Sequence, residues 1–166
     1  MKKDKVYEKS VLKEMKKDYA EFQKKYNLPS FEKLNEYFSI EKAADYETDF
    51  LLREIRKHVA DRLQNYMRFI EALLHPTDVP IFIFSIIKSL GTGDMEKLVE
   101  LYKELAKMNL KLIKLDISYS EQKEAELIKE SYKLWEKIKN ETLDILKVVE
   151  KNWDSKMEFN GRSYFS

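Results

Sequence analysis

No cysteine occurs in these 166 residues. That excludes disulfides, thiolate metal sites and a cysteine nucleophile. The only histidines are His58 and His75, which leaves little from which to build a zinc site or imidazole catalysis. Three glycines and three prolines are too few for the many turns of an all-β or α/β chain. Neither charge sign dominates: 31 basic residues face 30 acidic ones, a net charge of +1, so no global field draws the chain to nucleic acid or membrane. Long apolar runs are also missing. The longest, VPIFIFSIIKSL, has 12 residues, well short of the ~20 needed to span a bilayer. The N-terminal MKKDKVYEKSVLKEMKKDYAEF lacks an apolar core of signal-peptide length. A cytoplasmic protein with no membrane partner is expected. There is no Walker loop, GxGxxG, GxSxG or HExxH, and Gly91-Thr92-Gly93 is too short to cradle a nucleotide alone.

Lys, Glu, Leu and Ile are abundant, and they favour a few long helices. The same composition, with few glutamines, fits a thermophile. The expected fold is all-α: a single-domain helical bundle of four to five main helices over residues 1–153, plus a short connector. Residues 154–166 form an aromatic tail, docked or partly disordered, with a tight-turn signal at Asn160-Gly161.

Periodicity places the helices. Met15, Tyr19, Phe22 and Tyr26 recur at three- and four-residue steps and predict a first helix from Asp4 to Tyr26. Asn27-Leu28-Pro29 stops it, and Ser30 caps a short second helix with Phe31, Leu34 and Phe38 inward. Ser39 is expected to open a further turn through Ala44. A long helix follows from Thr48 to Leu74, stopped by Pro76. Asp78 is the expected cap of a helix over 79–90 that ends at Gly91. This segment is apolar on every side and is therefore expected at the centre of the bundle or in a subunit interface. IFIFSII would also suit a buried strand, but a lone strand has no ladder partner here. From Asp94 to Ile117, Leu98, Leu101, Leu105, Met108, Leu112 and Leu115 form a heptad-like seam. Ser118 to Glu121 reads as a capping box for a last helix reaching Trp153. Asn140-Glu141-Thr142 matches a glycosylation sequon but lies mid-helix.

Four of the five arginines, Arg53, Arg56, Arg62 and Arg68, lie in helix 48–74. Arg53 has Asp49 four residues before it and Arg68 has Glu71 three after, so both read as ordinary surface pairs. Arg56 and Arg62 fall within the apolar arc with no acid one turn away. A guanidinium there needs a counter-charge from another element. Asn109, Asp116 and Glu124 are the candidates to supply it, either as a buried polar cluster or as a ligand-binding site. A homodimer interface or an anion pocket are the other readings of these arginines. On the opposite side of the helix, Glu54, His58 and Asp61 are spaced so that all could touch one divalent metal. No cofactor is otherwise predicted. Residues 1–25 carry nine lysines against five acids, but Asp4, Glu8, Glu14, Asp18 and Glu21 interrupt them. A solvated face is expected there rather than a nucleic-acid surface.

Taken together, the residues point to a non-enzymatic helical interaction or scaffold protein that self-associates as a homodimer or binds another protein. The first alternative is a ligand- or metal-binding helical enzyme with its site at Arg56, Arg62, Asp116 and Glu124. A nucleic-acid-associated accessory protein using the basic first helix is the second.

Overall fold

The computed structural model describes residues 2–45, 48–77 and 80–156, with side chains described over 10–45, 48–77 and 80–152. The tail from 157 onward, Asp78 and Glu47 lie outside the described residues, and so do the cap and tail expectations that rest on them. Among the described residues every regular element is helical. In chain order these are α1 (Lys2–Tyr26), α2 (Phe31–Phe38), a 3-10 helix (Ile40–Asp45), α3 (Leu51–Leu74), α4 (Ile81–Ser89), α5 (Thr92–Ile117) and α6 (Glu121–Lys156). No helix among them is long and apolar enough to cross a membrane.

The helix ends follow from local chemistry. Ser30 Oγ accepts the Lys33 amide at the start of α2. Ser39 ends α2 in the left-handed region, φ 52°, and its N–H returns to the Asn35 carbonyl. It is therefore the stop of α2, and the 3-10 helix begins one residue later. Gly91 does not provide a left-handed stop for α4. Leu90 ends α4 in extended backbone with its N–H on the Ile87 carbonyl, and Gly91 instead heads α5, where its N–H is held by Asp94 Oδ2 at 3.0 Å. The expected box from Ser118 to Glu121 does not form: the Lys123 amide faces Ser120 Oγ at 3.5 Å, a one-way cap, while Ser118 Oγ turns back to the Lys114 carbonyl.

α3 is the central element. It packs against α5 and α6 along its length and also touches the 3-10 helix, α4 and α2. Its buried stripe is Leu52, Ile55, Val59, Leu63, Ile70 and Leu73. The α5 seam Leu98, Leu101, Leu105, Met108, Leu112 and Leu115 is buried throughout. α6 closes the core with Ala125, Ile128, Trp135, Ile138, Ile145 and Val149. Each fully buried aliphatic side chain contributes on the order of 1.5–3 kcal/mol. α1 docks through Met15 and Tyr19, whose hydroxyl donates to the Pro29 carbonyl at 2.6 Å. Lys129 Nζ reaches from α6 to the Tyr26 carbonyl, neutralising one of the unpaired carbonyls at the end of α1. An aromatic cluster joins α2, α3 and α6: Tyr66 meets Trp135 edge-on at 4.8 Å between ring centres, with Phe38 at 5.8 Å.

α4 is not a central buried helix. Ile86 and Ser89 are buried, but Ile81 is 70% exposed and Phe82 and Phe84 are also exposed. The reason is its neighbours. Among the described residues this nine-residue helix packs on α3 and α6, which cover the side of Ile86 and Ser89. The Ser85 and Ser89 hydroxyls donate to the carbonyls one turn back, and Asn152 of α6 donates to the Ser89 carbonyl at 3.2 Å.

Candidate functional site

Three elements converge on Arg56. It sits in the first turns of α3, with only 4% of its side chain exposed. Glu124 lies in the first turn of α6, where the positive end of the helix dipole favours a carboxylate. Asp116 lies in the last turn of α5. The short Ser118–Ser120 corner brings the end of α5 and the start of α6 to the same place. Arg56 Nε donates to Glu124 Oε2 at 2.8 Å, and Arg56 Nη2 donates to Asp116 Oδ1 at 2.8 Å. One planar fork thus ties three helices, a task that suits arginine better than lysine.

Glu124 is completely buried, whereas the Asp116 side chain is 62% exposed. The two arms of the fork therefore differ. The Glu124 arm is a desolvated ion pair, and the Asp116 arm reaches the surface. Burial pushes the Glu124 carboxyl above the ordinary carboxylate range, against the pull of the Arg56 guanidinium and, more weakly, of Arg53.

Arg53 belongs to this cluster and is not an ordinary surface partner of Asp49. Its Nε lies 3.7 Å from Glu124 Oε1, close enough for ion pairing but too far for a hydrogen bond. Both atoms are buried without a hydrogen-bond partner. The Arg53 guanidinium lies against the Tyr119 ring at 4.8 Å and the Phe50 ring at 5.8 Å. Those two rings meet edge-on at 4.8 Å. Two guanidiniums and two carboxylates balance, under an aromatic cover from the corners before α3 and after α5. Sequence reasoning missed Arg53, Phe50 and Tyr119. The available signal was the three-residue step from Arg53 to Arg56, which puts both on adjoining faces of α3.

Arg62 does not join the cluster. Its side chain is exposed and its guanidinium lies 5.8 Å from the Trp135 ring centre. At about 100° per residue it stands about 60° from the middle of the aliphatic stripe, on a flank where its long side chain leaves the packed face. Arg56 lies about 60° from that middle on the other flank, where Ala60 is buried as well, so its guanidinium stays under cover. Asn109 is also separate: its carbonyl accepts from Gln64 Nε2 at 3.1 Å, a side-chain tie between α3 and α5. Arg68 is exposed.

The proposed metal ligands do not converge. Glu54 turns to Lys57, with Oε1 at 2.8 Å from Nζ, while Asp61 is exposed and His58 half-buried. Among the described residues no group of three His, Asp or Glu side chains is placed to hold a metal ion. A single helix can aim such a triple at one ion only if all three side chains leave their other partners, and Glu54 has a lysine one turn away.

No protein-family model, curated protein or solved structure matches this chain. Its chemistry is therefore read from its own side chains. The Arg56 fork is filled by carboxylates of the same chain, and the cluster works as a clasp across the α3, α5 and α6 ends.

Proposed function

We propose that this chain is a non-enzymatic helical interaction protein that associates with a second copy of itself. The observation that carries this reading is the placement of large aliphatic and aromatic side chains outside the core. Ile81, Phe82 and Phe84 stand out from α4, and Leu110, Ile113 and Ile117 stand out from α5. Scattered exposed apolar residues are ordinary, but runs of them on two helices mark surfaces that another protein covers. The Arg56 cluster supports the same reading. Its charges are answered within the chain, so it serves to align the helices that present these surfaces. The enzyme alternative would need that guanidinium free for substrate. The nucleic-acid alternative would need an uninterrupted basic face, and on α1 acids alternate with the lysines.

Sedimentation equilibrium of the full chain at micromolar concentration tests the proposal. The expected result is a mass near twice the 20.0 kDa of one chain. A single species at the chain mass throughout would overturn it.

A further inference from the structure

α5 carries two apolar faces. The first is the buried seam from Leu98 to Leu115. The second runs along nearly the opposite side: Val99, Lys103, Ala106, Leu110, Ile113 and Ile117, at steps of four, three, four, three and four. Ala106 is half-buried and the other five are exposed, with Ile117 at 82%, Leu110 at 61% and Ile113 at 49%. That alternation is the a/d pattern of a coiled-coil seam, with Lys103, Leu110 and Ile117 at a and Val99, Ala106 and Ile113 at d. A helix with one seam already filled by its own chain has no internal use for a second. The 3.5-residue period selects another helix as the occupant, because a flat or irregular surface makes no demand for it.

We infer that α5 pairs with the α5 of a second copy, antiparallel, about a two-fold axis near Ala106 and Leu110. This inference rests on the self-association proposed above and assigns its surface. Charge decides the orientation. A parallel, in-register pair would set each a residue against itself, so Lys103 would face the partner's Lys103 inside the seam, a like-charge contact. In the antiparallel pair the layers join Val99 to the partner's Ile117, Lys103 to the partner's Ile113 and Ala106 to the partner's Leu110. Lys103 then lays its methylene stem on isoleucine and carries its ammonium to water. The flanking e positions are Glu100, Lys107 and Lys114. Antiparallel pairing sets Glu100 beside the partner's Lys114 and, by symmetry, Lys114 beside the partner's Glu100. Lys107 meets its own copy at the axis, an exposed and salt-screened repulsion that two attractive pairs outweigh. The small Ala106 opposite the large Leu110 lets the two helices approach at the centre.

The absence of cysteine allows a direct test, because an introduced thiol is the chain's only one. Val99 and Ile117 lie 18 residues apart, about 27 Å along the helix. Val99→Cys and Ile117→Cys chains are made separately and then mixed under mild oxidation. The expected result is a covalent dimer in the mixture at many times the yield of either chain alone. Equal cross-linking of each chain with itself would mean a parallel pair and overturn the orientation. Leu110→Lys with Ile113→Lys, both at exposed sites, is expected to give a monomer with unchanged helical circular dichroism. A dimer that survives this change and does not cross-link would overturn the α5 seam while leaving self-association standing, through α4 for example. A parent chain that stays monomeric, including one that instead binds anionic vesicles, would overturn both.

Discussion

Arg56→Met removes the guanidinium and keeps most of the apolar stem. Its consequence can be worked from the unequal arms of the fork. Glu124 remains fully buried, with Arg53 Nε at 3.7 Å as its nearest remaining cation. Leaving one member of a buried pair uncompensated costs about 3–5 kcal/mol. The Asp116 arm is solvated and adds about 0–1 kcal/mol. With an m-value of about 2 kcal/mol per molar urea, the unfolding midpoint at pH 7 should fall by about 1.5–3 M. The loss should depend on pH. Burial already holds the Glu124 carboxyl above its ordinary value of 4.5, and losing Arg56 raises it further. A carboxyl raised on folding favours the folded state below its unfolded pKa, and that advantage is lost as pH rises through the folded pKa. The variant's deficit should therefore be largest at neutral pH and shrink toward pH 4.5. Adding Glu124→Leu should recover most of the neutral-pH loss, since an apolar pair of similar volume avoids both desolvated charges. Urea titrations followed by circular dichroism at two pH values settle the matter. A midpoint within about 0.3 M of the parent, or a deficit that does not change with pH, would refute the clasp as the anchor of these three helices.

Trp135→Phe should lose less stability than the about 3–5 kcal/mol expected of a full truncation, because it also removes the buried indole N–H that lacks a partner; calorimetry gives the difference. Burial holds the Tyr19 hydroxyl protonated well above its ordinary value of 10.0, so its contribution is complete below pH 10 and is lost in stronger base. Tyr19→Phe should cost about 0.5–1.5 kcal/mol at pH 7, from the bond to Pro29, and should flatten the alkaline part of the stability profile. Ser30→Ala should cost about 1 kcal/mol through the lost α2 cap, readable as a lower urea midpoint. Zinc or magnesium should leave both the thermal midpoint and the His58 ring signals in NMR unchanged, and a specific shift of those signals would revive a metal site on α3.

Much of the architecture was legible because it depends on period. The α5 seam and the α3 stripe follow from spacing alone, and the structure buries them as spaced. Arg56 was legible for the same reason, since a charge within an apolar arc must be answered by another helix. Arg62 was not, because at the stripe's margin the length of arginine decides, and a helical wheel does not represent length. The exposed side of α4 was hidden by composition. Ile81, Phe82 and Phe84 read as core because nothing in their own segment says how many neighbours reach them. The second α5 stripe escaped notice because the first explained the leucines. Only with the buried face located do Val99, Leu110, Ile113 and Ile117 stand out as a separate line.

The measurement that bears most directly on the central claim is the sedimentation equilibrium mass of the parent chain beside its Leu110→Lys/Ile113→Lys variant, at matched concentration and helix content. The parent should sediment at about twice 20.0 kDa and the variant at the single-chain mass. Equal masses for the two, whether both single or both double, would contradict it.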